Sequence, residues 1–122
     1  MNHKNLDLWQ KSMDFVIQLY EITSQFPNNE KSWLVNQLRR ASVSIPSNIA
    51  EGSGRGSDKD FIRFLYFSLG SLAETETQLI ISERLKYLNE ESANVLLSEL
   101  NNIKRMLLGL IKHLKAKIKW LI

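Results

Sequence analysis

A chain of 122 residues is one domain's worth of protein, and at that length a single core can hide roughly two-thirds of the surface that the unfolded chain exposes. It contains no cysteine, which excludes structural disulfides and thiolate metal sites, and no apolar run approaches the ~18 residues that a membrane-spanning helix needs. The net charge is only +3, but it is spread unevenly: residues 101–122 carry six cations and no acid, whereas Glu74 to Glu99 holds six acids against Arg84 and Lys86.

Two prolines and five glycines, three of the latter in one turn, leave a chain that reads as helical almost throughout. The first segment runs from about Asp7 to Ser24. Trp9, Met13, Val16, Tyr20 and Thr23 share one face, with Leu8, Phe15, Leu19 and Ile22 in a row beside it. Phe26-Pro27-Asn28-Asn29 ends this helix and starts the next, because proline forbids continuation and asparagine caps.

The second segment begins near Glu30 and places Leu34, Leu38, Ala41, Ile45 and Ile49 on one face. Pro46 lies inside that pattern. It has no N–H for the Ser42 carbonyl and its ring crowds that carbonyl, so either one helix is kinked there or a short new helix starts at Ser44. The apolar spacing keeps its register through Pro46 and favours the kink. A turn at Gly52–Gly56 follows, and Ser57 with Asp60 has capping-box spacing for a third helix reaching about Leu85. Phe61, Leu65, Ser68, Leu72, Thr75 and Leu79 form its main row, and Ile62, Tyr66, Leu69, Ala73 and Ile80 the next, with Phe64 and Phe67 outside both. The fourth segment is capped by Asn89 and carries Ala93, Leu96, Leu100, Ile103, Leu107, Leu110, Leu114, Ile118 and Leu121 at heptad spacing. Four helices with short turns predict an all-α, antiparallel up-down-up-down bundle over residues 1–122.

Catalytic constellations are nearly absent. His3 and His113 have no partners of the kind a general base or metal ligand needs, and no Glu-x-x-His pair offers a di-iron site. Gly52-Ser53-Gly54-Arg55-Gly56-Ser57 is rich in glycine but lacks the preceding strand and the Gly-Lys-Ser/Thr ending of a phosphate loop, so it reads as a helix–helix turn. No enzyme, cofactor or metal is therefore expected. The residues that core and caps leave unexplained are Arg39, Arg40, Ser44, Asn48, Glu51, Arg55 and Glu74; they are expected to form a buried or interfacial polar network, with Gly70-Ser71 letting the third helix approach closely. The alternative use for them is a ligand or RNA-backbone site. On the fourth helix, Lys104, Lys112, Lys115 and Lys119 fall on one stripe with Arg105 at its edge, a candidate nucleic-acid surface. The plainer account is that lysines near a helix C-terminus complement its dipole.

Arg39-Arg40-Ala41, then Ser44-Ile45-Pro46-Ser47-Asn48-Ile49-Ala50-Glu51-Gly52, Arg55, Phe61, Phe64-Leu65, Gly70-Ser71 and Glu74 resemble the bacterial four-helix-bundle proteins known as 23S ribosomal RNA intervening-sequence proteins. Leu8-Trp9 and Phe26-Pro27 with Glu30 also match, while the fourth helix matches in pattern alone. The resemblance implies a homopentameric ring without known enzymatic activity. Some members are encoded inside segments inserted in ribosomal RNA genes, and a related branch, the accessory variability determinant of diversity-generating retroelements, assists a reverse transcriptase and binds nucleic acid. The expectation is thus a soluble cytoplasmic, non-catalytic oligomeric scaffold that binds RNA through basic surfaces; the alternative is a protein–protein adaptor, for example a reverse-transcriptase accessory. Spare apolar rows on the first, third and fourth helices independently favour self-association over a wide but fully internal core.

Overall fold

The computed structural model describes residues 2–27 and 32–121, with backbone alone for residue 32 and for residues 119–121. After one 3-10 turn at His3–Asn5 come four helices: α1 (Asp7–Thr23), α2 (Ser32–Ser53), α3 (Asp58–Arg84) and α4 (Glu90–Leu121). Consecutive helices pack side by side and α4 closes against α1, which makes the four-helix bundle read from the apolar periodicity. The Asn28-Asn29 cap and the start at Glu30 lie outside the described residues.

The core is the meeting of one row from each helix. Leu34, Leu38, Ala41, Ile45 and Ile49 of α2 are all buried, as are Phe61, Leu65, Ser68, Leu72, Thr75 and Leu79 of α3. On α1 the two rows exchange rank. Leu8, Phe15 and Leu19 form the buried face, joined by Val16 and Thr23, whereas Met13 and Tyr20 are exposed. On α4 it is Ile111, and not Leu110, that continues the buried series from Leu107 to Leu114; Leu110 packs partly buried at its edge. Neighbouring rows on one helix are only about 100° apart, and periodicity alone does not say which faces inward.

Hydroxyls inside this core are all satisfied locally or across a helix pair. Ser12, Thr23 and Thr75 donate to the carbonyl four residues back, each at 2.8 Å. Ser68 does otherwise: its buried hydroxyl donates at 2.9 Å to the Ile45 carbonyl of α2, one residue before Pro46. Of the two alternatives at that proline, the observed one is a single continuous helix with Pro46 inside it. A bend there remains an expectation from the N–H missing opposite Ser42.

Both capping signals on α3 and α4 hold. Ser57 Oγ accepts from the Asp60 amide at 3.2 Å and Asn89 Oδ1 from the Ser92 amide at 2.8 Å. The end of α3 holds a feature that composition did not announce. Lys86 has φ 66°, the left-handed region, and the Tyr87 amide bonds back to the Ser82 carbonyl at 3.0 Å while the Lys86 amide bonds to Glu83 at 2.9 Å. This is the Schellman closure, built here on lysine where glycine fits without strain. Replacing Lys86 by glycine is expected to stabilise the fold by about 1 kcal/mol, read as a higher denaturation midpoint with unchanged slope.

Gly52 marks the closest approach of α2 and α3. A Cβ there would lie 2.7 Å from Phe64 Cβ, 3.0 Å from Phe61 Cδ1 and 3.3 Å from the Phe61 carbonyl oxygen. Gly70 does not play the part foreseen for it: it is exposed, and an added Cβ would meet nothing within 4 Å. Close packing of this helix pair needs its glycine at the turn and not in mid-helix, because antiparallel chains joined by a tight connection converge there.

Candidate nucleic-acid interface

Two of the bundle's four seams carry opposite electrostatic characters. Between α1 and α4 lies a cleft of about 240 Å³ lined by Lys11, Asp14, Gln18, Glu99, Asn102 and Ile103. Partial burial, and then the neighbouring Asp14, push the Glu99 carboxyl above the usual carboxylate range. With the Gln18 amide turned so that its nitrogen faces Glu99, it donates to both carboxylate oxygens at 2.7 and 2.8 Å, which pulls the other way. A paired and partly repelled carboxylate of this kind is no place for a phosphate.

The seam between α3 and α4 is its opposite. Near the C-terminal half of α4 a groove of about 480 Å³ is lined by Tyr66, Leu108, Ile111, Lys112, Lys115 and Ala116, with no acid among them. Lys115 Nζ donates to the Tyr66 hydroxyl at 2.7 Å and stands 5.1 Å from the centre of its ring. Lys104 and Arg105 are also exposed, about two turns further toward the N-terminal end of α4. The structure therefore brings Lys112 and Lys115 into one groove and leaves Lys104 and Arg105 on the open surface; the Lys119 side chain lies outside the described residues. Lys117 points elsewhere and pairs with Asp58 at 3.4 Å across the end of the bundle.

The seven polar residues expected to form a network do not join into one. Arg39 clamps α2 to α1: its Nε donates to Thr23 Oγ1 at 3.1 Å, its Nη2 to the Tyr20 carbonyl at 3.2 Å, and its guanidinium lies 4.4 Å over the Tyr20 ring. Ser44 and Asn48 are half-buried and spend their hydrogen bonds on their own helix, on the carbonyls of Arg40 and Ser44. Glu51 and Arg55 form an exposed pair at 2.6 Å, and the Arg55 guanidinium covers Phe64 at 4.8 Å. Arg40 is exposed, and exposed Glu74 accepts from Gln78 at 3.3 Å. Arg40, Glu51, Arg55 and Glu74 thus lie open on the single chain, not sealed in its interior. Long side chains that reach water pay no desolvation, and nothing in one subunit forces them together.

Tyr66 is the site residue that sequence reasoning missed. It sat in the second apolar row of α3, and only its distance of 49 positions from Lys115 hid the pairing. Among the described residues no group of three or more His, Cys, Asp or Glu side chains gathers to hold a metal ion, and no helix is long and apolar enough to cross a membrane.

Comparison with known proteins adds the following. The family model described as 23S rRNA-intervening sequence protein matches residues 4–109. The chain is similar to a crystallised protein of unknown function from the S23 ribosomal protein family of Bacteroides thetaiotaomicron VPI-5482, with 27% identity, a TM-score of 0.80, and coverage of 86% of this chain and 98% of that one. No curated protein matches.

Proposed function

The chain belongs to the family of 23S rRNA-intervening sequence proteins, and from that premise we propose that it is a non-catalytic, self-associating cytoplasmic scaffold that binds RNA through its basic surface. The observation that carries the RNA side of this reading is the acid-free groove on α3 and α4, where Lys112 and Lys115 stand together at an accessible surface. Phosphate neutralisation by such side chains supplies affinity without sequence preference. Self-association is supported by large apolar side chains left open by the single bundle, among them Ile17 at 57% and Trp33 at 60% exposure. A ring of five is the form that the family resemblance implies. It would repeat the basic surface around its circumference, so that weak sites add up on one RNA.

The alternative is an adaptor that only touches other proteins, for example a nucleic-acid enzyme such as a reverse transcriptase. The same exposed Ile17 and Trp33 favour it, since apolar anchors are what a protein partner would bury. Light scattering on the purified protein, joined to its ratio of absorbance at nucleic-acid and protein wavelengths in low and high salt, separates the two. The scaffold reading expects an oligomer whose bound nucleic acid is lost steeply as salt rises. A monomer at micromolar concentration removes the assembly, and an oligomer that takes up no RNA at low salt leaves the adaptor.

A further inference from the structure

We propose that the groove around Tyr66 is a stacking site for one unpaired base of a single-stranded RNA, with the adjoining phosphate held by Lys112 and Lys115. The inference rests on the RNA-binding reading above and narrows its ligand to strands whose bases are free.

The groove supplies each part that such a nucleotide needs. Tyr66 is 45% exposed, so its ring is available to a base. Leu108, itself 45% exposed, and Ile111 give the groove an apolar floor beneath the ring. Lys115 spends one of its three donors on the Tyr66 hydroxyl at 2.7 Å, which holds the ammonium beside the ring and leaves two N–H groups for a phosphate oxygen. Lys112, one turn away on the same helix, lines the same groove and adds a second cation.

The arrangement also decides between classes of ligand. A duplex keeps its bases inside, so it could use the two ammoniums but would leave the tyrosine face and the aliphatic floor with nothing to cover. A strand with unpaired bases uses all of them, since every base has a face that stacks on an aromatic ring. An acidic peptide would satisfy the lysines and gain little from the ring. Only one aromatic side chain is involved, so one base per subunit is engaged and base identity matters little.

The test is fluorescence anisotropy at low salt with a labelled short oligouridylate and a labelled RNA duplex of equal length, on the wild-type protein and on Tyr66→Ala and Tyr66→Phe. Alanine is well tolerated at an exposed helical position, and circular dichroism checks that both variants remain helical. Tyr66→Ala is expected to weaken single-strand binding about tenfold and to leave duplex binding within about twofold; Tyr66→Phe, which keeps the ring and loses the hydroxyl, stays within about twofold on the single strand. If Tyr66→Ala weakens both ligands equally, tyrosine acts only by placing Lys115 and the stacking site is wrong. If Tyr66→Ala leaves single-strand binding intact, the stacking site is likewise wrong while RNA binding stands. Wild-type protein that binds neither ligand overturns the RNA-binding reading, and this inference with it.

Discussion

Gly52→Ala is expected to destabilise the bundle by about 1–2 kcal/mol, although alanine is the better helix former. Inside a helix the exchange normally gains about 1 kcal/mol, because glycine has more conformational freedom to lose. Here the new methyl would arrive 2.7 Å from Phe64 Cβ, an atom fixed to the α3 backbone, and 3.3 Å from the Phe61 carbonyl. Neither can swing aside as the end of a long side chain would. The helices must separate where the turn holds them together, and overpacking of that kind costs typically about 1–3 kcal/mol, more than the helical gain. Gly52→Leu should cost more again. Gly70→Ala is the control: its site is open, so the same exchange should be neutral or stabilising. Urea denaturation of the three variants reads the order directly. A Gly52→Ala protein as stable as wild type would mean that the helices are free to part at this end.

The second large effect concerns binding. Replacing Lys112, Lys115 and Lys119 together by glutamate should abolish RNA binding while the oligomer survives. Each reversal removes an attraction for phosphate and adds a repulsion, and backbone-driven affinity falls roughly as a power of the number of charges engaged. Lys112 and Lys115 are exposed, so the substitutions disturb no core and the helical content should be retained. Filter binding and light scattering on the same samples give the two halves of the result. Unchanged binding by the triple variant would transfer the site to the arginines of α2 and its turn, where Arg40 is open while Arg39 is tied to Thr23 and Arg55 to Glu51.

What could be read from residue order, and what could not, follows from the range of the interactions. Helix boundaries depend on neighbours within one turn, and the caps at Ser57 and Asn89 proved legible for that reason. The buried row of α3 was equally plain, down to Ser68 and Thr75, because its hydroxyls keep the spacing of the apolar residues around them. The ranking of rows on α1 was not, since Met13 and Tyr20 are as apolar as the residues that went inside. The lysines of α4 showed as a pattern, but Tyr66 belongs to another helix, and no spacing rule reaches across a pairing of that separation. The polar residues of α2 were singled out correctly as unexplained by the core. Their expected burial failed to appear in one chain because side chains as long as arginine and glutamate can turn outward to water.

The hydroxyl of Ser68 has an effect that reaches the outside of the molecule. Leucine-rich faces are tolerant of sliding: shift one helix along its neighbour by a turn and much of the apolar contact is regained. The bond from Ser68 to the Ile45 carbonyl has no such latitude, because a buried hydroxyl left without its acceptor costs about 1–3 kcal/mol. It acts as a vernier that sets α3 against α2 at one position. That setting decides which surface residues stand level with one another, Glu51 and Arg55 with Phe64 among them. For a subunit that must present the same face in every copy of a closed assembly, alignment at the surface is inherited from one small polar group in the dry interior.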